Sequence, residues 1–178
     1  MTRDFFEFFD LPRNLSIDTK DLEKRFYALS RKWHPDLFAR KSEAEREESL
    51  EATAVLNDGY RTLREPIARA LYLLKQEGFD VAEQGSKDVP ADLLEEVFEL
   101  NMAVEELQDG DESARAQLIS ARQRFETMRA ELDAELQQKF AAWDASHDKA
   151  ALTEIRAVLN RRKYITNLIA KANVPDRV

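Results

Sequence analysis

Apolar side chains recur at alternating spacings of three and four residues along most of this 178-residue chain. In the stretch from residue 22 to residue 33 they are Leu22, Phe26, Leu29 and Trp33. Such spacings place the apolar side chains on one face of an α-helix. Only four glycines and five prolines interrupt the pattern, whereas a strand-rich domain needs many more turn residues. The sequence therefore predicts an all-α protein with long helices and short connections.

The composition excludes several classes of function. The chain has no cysteine, which rules out disulfides, thiol catalysis and cysteine-bound metal. Its net charge of −8 argues against general nucleic-acid binding, which depends on an excess of lysine and arginine. No apolar run approaches the roughly 18 residues that span a bilayer. We expect a cytoplasmic protein without a cofactor, whose partners are other proteins rather than nucleic acid or a membrane.

Four phenylalanines stand close to the amino terminus, where Asp4 can cap a short helical turn that Pro12 ends. An aromatic cluster of this kind could touch a membrane, but the acidic residues between the rings would repel an anionic surface. We expect it to pack in the core. The cluster consists of Phe5, Phe6, Phe8 and Phe9.

Capping residues predict three longer helices in the rest of the first 78 residues. Asp18 begins the first of them, and Pro35 ends it because proline lacks a backbone donor and restricts the residue before it. The segment from Ser42 to Glu45 has the spacing of a capping box for the next helix. Pro66 suits the first turn of a further helix, and Gly78 suits its end. The first two of these helices should pair antiparallel.

The pattern changes after residue 78. Residues 79–89 lose the helical periodicity and are predicted to be a linker. From residue 90, three apolar stripes are separated by the turn signals at 108–110 and 145–148, which is typical of an antiparallel three-helix bundle. We therefore predict a domain at 1–78, a linker at 79–89 and a second domain at 90–178.

The tripeptide His34-Pro35-Asp36 lies in the predicted loop after the second helix. Imidazole can act as a metal ligand or a general base. One alternative function is therefore that of a metal-dependent hydrolase that uses His34 and Asp36. A metal site would need further ligands, yet the second histidine, His147, lies in the other predicted domain. A simpler alternative is that the tripeptide only ends a helix.

The first helix of the predicted bundle is strongly acidic. Residues 92–112 contain nine acidic residues and no lysine or arginine. Beside its core stripe the helix has a second apolar row, Leu94, Phe98 and Met102, which we call the cargo row. An exposed apolar row edged with carboxylates suits protein docking. The alternative is that this helix is buried on a broader face.

The sequence resembles the HscB family of J-type co-chaperones over essentially its full length. The resemblance rests on LEKRFYALSRKWHPDLFA, on LNDGYRTLREPIARALYLLKQEGFD and on the three-helix carboxyl-terminal pattern. It implies an all-α fold with an amino-terminal J-domain, in which an antiparallel helix pair presents the HPD loop. A carboxyl-terminal three-helix bundle follows, in an L-shaped two-domain arrangement.

The resemblance also implies a function. HscB proteins deliver an iron-sulfur cluster scaffold protein (IscU-like) to a DnaK-type chaperone (HscA-like) and stimulate its ATP hydrolysis. The chain itself would then not be an enzyme, because the ATP site belongs to the partner. A general J-domain protein that serves other clients is the alternative within the same class.

Family positions imply two sets of binding residues. The sequence departs from the family pattern at two positions. Leu37 follows the HPD motif where many J-domains have lysine, and Glu95 stands in the scaffold-binding set where an apolar residue is usual. The basic residues could instead form only a solvated face. The chaperone-binding set is His34, Pro35, Asp36, Lys24, Arg25, Arg31 and Lys32. The scaffold-binding set is Leu94, Glu95, Phe98, Glu99, Met102, Glu106 and Tyr164.

Overall fold

The computed structural model describes residues 4–79 and 90–173, and every regular element in these two ranges is helical. The helices are α1 (Phe5–Phe8), α2 (Thr19–Lys32), α3 (Pro35–Phe38), α4 (Glu43–Arg64), α5 (Pro66–Gln76), α6 (Leu94–Gln108), α7 (Ala114–Ser146) and α8 (Lys149–Lys171). A short 3-10 turn, Ala91–Leu93, precedes α6. Within the described ranges, no helix combines the length and the apolar character that crossing a membrane requires.

The chain divides into two compact units. The first comprises Met1–Val81 with Phe140–Leu152, and the second comprises Ala82–Lys139 with Thr153–Val178. The predicted linker at 79–89 lies outside the described residues except for Phe79. The sequence did not indicate that residues 140–152, which include the turn between α7 and α8, pack with the amino-terminal helices.

Helix α4 is the centre of the first unit and packs against α1, α2, α3 and α5. Its early residue Ser49 donates a hydrogen bond of 2.9 Å to the carbonyl oxygen of Trp33, at the end of α2. Its later residue Tyr60 packs against Phe26, with 4.4 Å between the ring centroids. The order of these contacts makes α2 and α4 antiparallel, as predicted.

The turn that carries Phe5, Phe6, Phe8 and Phe9, which we call the aromatic turn, packs in the core, as the sequence predicted. Phe6 and Phe9 are buried, and Phe5 stacks on Tyr72 with 4.6 Å between the centroids. Gly59 of α4 makes room for this turn, because a Cβ at that position would lie 2.9 Å from the Phe9 ring. A side chain there would therefore push the turn away from α4.

The segment 140–152 is anchored in the first unit by polar contacts to the loop after α1. The indole N–H of Trp143 donates a 2.9 Å hydrogen bond to the carbonyl of Arg13. The carboxylate of Asp144 accepts hydrogen bonds from the backbone N–H groups of Leu15, at 2.6 Å, and Ser16, at 2.8 Å. Trp143 is only 3% exposed, so its side chain belongs to the core of the unit.

The second unit is a three-helix bundle whose directions follow from its polar links. Arg161 and Lys171 of α8 bond to Asp92 and Asn101 respectively, so α6 and α8 run parallel. Arg122 of α7 bonds to Asn173 just after α8, and Lys139 bonds to Glu154, so α7 and α8 run antiparallel. Apolar residues buried in this unit include Leu93, Leu100, Leu118, Ala121, Phe125, Leu132, Leu136, Ile155, Leu159, Ile165 and Leu168. Val97, Val104, Leu107 and Met128 are half-buried.

Candidate functional site

The HPD turn, His34-Pro35-Asp36, projects from the end of α2. The sequence predicted a loop here, but residues 35–38 form one helical turn, α3, with Pro35 at its first position and His34 as its N-cap. His34 Nδ1 accepts a hydrogen bond of 3.3 Å from the backbone N–H of Asp36. Because Nδ1 is the acceptor, the neutral ring carries its proton on Nε2 and can donate outward. The Asp36 side chain is 88% exposed.

The base of the HPD turn is attached to α4. The carbonyl oxygen of Trp33 accepts hydrogen bonds from the hydroxyls of Ser49, at 2.9 Å, and Thr53, at 3.2 Å. The Trp33 ring stacks on Phe38, with an interplanar angle of 12° and 6.0 Å between the centroids. The turn is therefore fixed at its base while the carboxylate of Asp36 is open to a partner.

The basic residues of α2 do not all have the same surroundings. Lys24, Arg31 and Lys32 are exposed. Arg25 instead donates to the carbonyls of Phe9 and Asp10, at 3.0 and 2.6 Å. Its hydrogen bond to Asp21 raises its pKa above the ordinary arginine value. Arg25 therefore holds the end of the aromatic turn. The other three basic residues stay exposed, with the Lys32 ammonium 5.2 Å from the centroid of the Trp33 ring.

The cargo row lies on the surface of α6. Leu94 is 55% exposed, Phe98 65% and Met102 42%, while Leu93 and Leu100 face the core. The alternative of a more broadly buried helix is therefore wrong. Residues four apart advance about 40° around a helix, so the row crosses the outer face of α6 obliquely. At its far end, Phe98 and Met102 border a groove of about 620 Å³ whose other wall is α7.

The other predicted scaffold-binding residues flank this row. Glu95 is exposed and Glu106 half-buried. Glu99 pairs with Arg124 of α7 at 3.2 Å. Tyr164 is half-buried on α8, the parallel neighbour of α6, and burial raises its pKa. Its position beside the cargo row stays a prediction.

Cations from the neighbouring helices compensate part of the charge of α6. Besides the Glu99 pair, Arg161 of α8 binds Asp92 through both carboxylate oxygens. This hydrogen bond lowers the pKa of Asp92. Residues Glu95, Glu96 and Glu105 on the same helix are exposed or half-exposed, so the surface around the cargo row keeps a negative charge.

No group of three or more histidine, cysteine, aspartate or glutamate side chains is arranged to hold a metal ion within residues 4–79 and 90–173. His34 Nδ1 and Asp36 Oδ2 are 3.6 Å apart, but the same nitrogen is already an acceptor for the turn's backbone. The hydrogen bond between His34 and the backbone of Asp36 thus stabilises the turn.

Comparison with known proteins identifies the family. Residues 89–173 match the family described as the HSCB C-terminal oligomerisation domain. The co-chaperone protein HscB homolog of Shewanella loihica is 32% identical over 167 residues, which cover 94% of each chain. The chain belongs to the HscB family. The human iron-sulfur cluster co-chaperone protein HscB is 31% identical over 170 residues, which cover 96% of this chain and 67% of the human one.

Solved HscB structures have the same fold. The chaperone HscB from Vibrio cholerae matches with a TM-score of 0.64 and 27% identity, covering 96% of this chain and 95% of the other. Human HscB matches with a TM-score of 0.65 and 27% identity, covering 96% and 81%. The predicted HscB fold class, a J-domain followed by a carboxyl-terminal helical domain, is confirmed.

Sequence reasoning missed two features of this HscB site. It gave no role to Ser49 or Thr53 of α4, whose hydroxyls donate to the Trp33 carbonyl. It also placed Arg25 in the chaperone-binding set without indicating its hydrogen bonds to the carbonyls of Phe9 and Asp10. The signal for Ser49 and Thr53 was their spacing of four, which puts both hydroxyls on one face of the helix.

Proposed function

We propose that this chain delivers an IscU-like iron-sulfur cluster scaffold protein to a DnaK-type, HscA-like chaperone and stimulates ATP hydrolysis by that chaperone. The observation that carries the proposal is Asp36, whose side chain is 88% exposed on a turn that is attached to α4 at its base. Such a carboxylate can accept two charge-assisted hydrogen bonds from an arginine of the partner. The ATP site belongs to the chaperone, and this chain performs no chemistry of its own.

The exposed cations of α2 support the same docking. Lys24, Arg31 and Lys32 give this helix a positive surface in a chain of net charge −8. Opposite charge on a chaperone would speed the encounter in a salt-dependent way. Pro35 lowers the ordering cost of binding because it restricts the turn beforehand.

The scaffold would bind to the second unit. The cargo row offers three exposed apolar side chains with carboxylates alongside, and a scaffold surface with apolar and basic residues would complement it. The name of the human relative, an iron-sulfur cluster co-chaperone, supports this type of cargo. A general J-domain protein would have no need for one specific cargo surface.

The test is the Asp36→Asn variant in an ATPase assay with a matched DnaK-type chaperone. We expect wild-type protein to accelerate hydrolysis and the variant to lose about tenfold or more of this stimulation, since hydrogen bonds to charged groups contribute more than neutral ones. Thermal stability and scaffold binding should be unchanged, because the carboxylate is exposed and far along the chain from the cargo row.

The matched control is Glu51→Gln, which removes one exposed carboxylate from α4. It should stimulate the chaperone as well as wild type. Full activity of the Asp36→Asn variant would contradict the proposal, and so would turnover of ATP by this chain without a chaperone.

A further inference from the structure

The carbonyl of Trp33 stands at the end of α2. In a continued helix it would accept from the N–H of Leu37, but that group donates to the carbonyl of His34 at 2.9 Å. Carbonyls at helix ends are commonly satisfied by side chains from other segments. Ser49 and Thr53 each donate a hydrogen bond to the Trp33 oxygen.

These hydroxyls behave differently from others in the same chain. Serine and threonine inside helices commonly bond back to the carbonyl four residues earlier. Thr127, Ser146 and Thr166 do so here, at 3.1, 3.0 and 2.8 Å. Ser49 and Thr53 instead reach across to α2. Ser49 is completely buried, and its hydroxyl donates to the Trp33 carbonyl inside the unit rather than to solvent.

The Trp33 carbonyl lies only three residues before Asp36, and little freedom remains between them. Pro35 has a fixed φ angle, and His34 caps the N–H of Asp36 at 3.3 Å. The stacking of Trp33 on Phe38 links the start of the turn to its end. The orientation of the whole turn therefore depends on where the Trp33 carbonyl is held.

We propose that Ser49 and Thr53 are positioning residues for the HPD turn: by clamping the Trp33 carbonyl they set the direction in which Asp36 meets the chaperone. This inference rests on the proposed function. The two hydroxyls do not touch the partner. They reduce the range of turn orientations that the chaperone must select from, which improves binding.

The test removes the hydroxyls with little change of shape. In a Ser49→Ala background, Thr53→Val eliminates the second hydroxyl, whereas Thr53→Ser retains it. In the ATPase assay, we expect the Ser49→Ala/Thr53→Val protein to need about ten times more co-chaperone for half-maximal stimulation, as two neutral hydrogen bonds allow. The Ser49→Ala/Thr53→Ser protein keeps one of the two hydrogen bonds and should need only about three times more, and scaffold binding should stay the same in both.

A stability control separates positioning from general weakening of the unit. Ala52→Gly destabilises α4 at a buried position between the two hydroxyls without removing either hydrogen bond. It should leave half-maximal stimulation unchanged at temperatures below its unfolding transition. An equal loss in Ala52→Gly would overturn the proposal, and so would full activity of Ser49→Ala/Thr53→Val.

Amide hydrogen exchange tests the clamp without any chaperone. The Leu37 N–H reports on the turn, because it donates to the His34 carbonyl. We expect it to exchange about tenfold faster in Ser49→Ala/Thr53→Val, for the loss of two neutral hydrogen bonds, and at the wild-type rate in Ala52→Gly. Unchanged exchange would disprove the clamp. If the variant exchanges faster but the wild-type protein stimulates no DnaK-type chaperone, the clamp holds and only the proposed function is disproved.

Discussion

Asp144 accepts a 2.6 Å hydrogen bond from the backbone N–H of Leu15, a residue 129 positions earlier in the chain. Its other carboxylate oxygen accepts from Ser16. In Asp144→Asn the amide nitrogen cannot accept, so one of these donors loses its partner. We expect a loss of about 1.5 kcal/mol in the free energy of unfolding of the first unit, measured by urea denaturation.

The control for this variant is Glu131→Gln, which removes one charge from an exposed position of the same helix. Its stability should stay within about 0.5 kcal/mol of wild type. If the Asp144→Asn protein were equally stable, the anchor of residues 140–152 would have to lie in apolar contacts such as those of Trp143.

Gly59→Ala should destabilise the first unit although alanine is the better helix former. The new Cβ would lie 2.9 Å from the Phe9 ring and 3.2 Å from the Phe5 ring. Overpacking of this kind typically costs about 1–3 kcal/mol. In thermal denaturation, Gly59→Ala/Phe9→Leu should recover part of the loss, and a double variant no better than the sum of the single ones would contradict this explanation.

Arg69→Lys tests a buried cation that the sequence pattern did not reveal. Arg69 is 4% exposed and donates to the carbonyls of Leu15 and Leu63. Burial lowers its pKa below the ordinary arginine value. A lysine ammonium cannot reproduce the planar fork that serves both carbonyls. We expect a loss of about 2 kcal/mol by chemical denaturation; a neutral effect would show that the two carbonyls find other donors.

Phe98→Ala separates cargo binding from stability. Since Phe98 is 65% exposed, its removal should change the free energy of unfolding by less than about 0.5 kcal/mol. Affinity for an IscU-like scaffold should fall about thirtyfold, the usual effect of losing an interface aromatic. Calorimetric titration measures the affinity. Ile119→Ala, which truncates another exposed apolar side chain on α7, should bind normally; clear destabilisation by Phe98→Ala would argue for a core role.

Ser42→Ala should alter the titration of Glu45. Hydrogen bonds from the Ser42 side chain and backbone lower the pKa of Glu45. A carboxyl group with a lowered folded-state pKa stabilises the fold above its unfolded-state pKa and loses this contribution as the pH falls through the folded value. In an NMR titration, the Glu45 pKa should rise toward the ordinary glutamate value in Ser42→Ala. An unchanged pKa would show that the capping box does not form in solution.

Local features of the fold could be predicted because their signals lie within a few residues. Asp18 caps α2 and Ser42 forms a capping box with Glu45, as the sequence indicated. Proline lacks the backbone N–H that a continuing helix needs, which explains why α2 ends before Pro35, as predicted. The offset of the cargo row from the core stripe allowed two alternatives, and the exposure of Leu94, Phe98 and Met102 is the one that the structure has.

The missed features depend on contacts between distant segments. Asp144 is an ordinary polar residue near the end of a helix until the fold brings Leu15 to it. Gly59 lies inside a helix, where glycine is normally unfavourable, and the close approach of the Phe9 and Phe5 rings explains it. Spacing patterns describe which face of a helix is apolar, but they carry no information about which segment covers that face.

The hydrogen bonds of Arg25 affect how experiments on the basic surface should be interpreted. Its guanidinium joins α2 to the carbonyls of Phe9 and Asp10, and Asp10 has a left-handed backbone with φ of 52°. A charge-removing substitution at Arg25 would release that kinked segment as well as subtract a cation. Charge-swap mapping of the chaperone interface is therefore best done at Lys24 and Arg31, where electrostatics can change without loosening the amino-terminal aromatic rings.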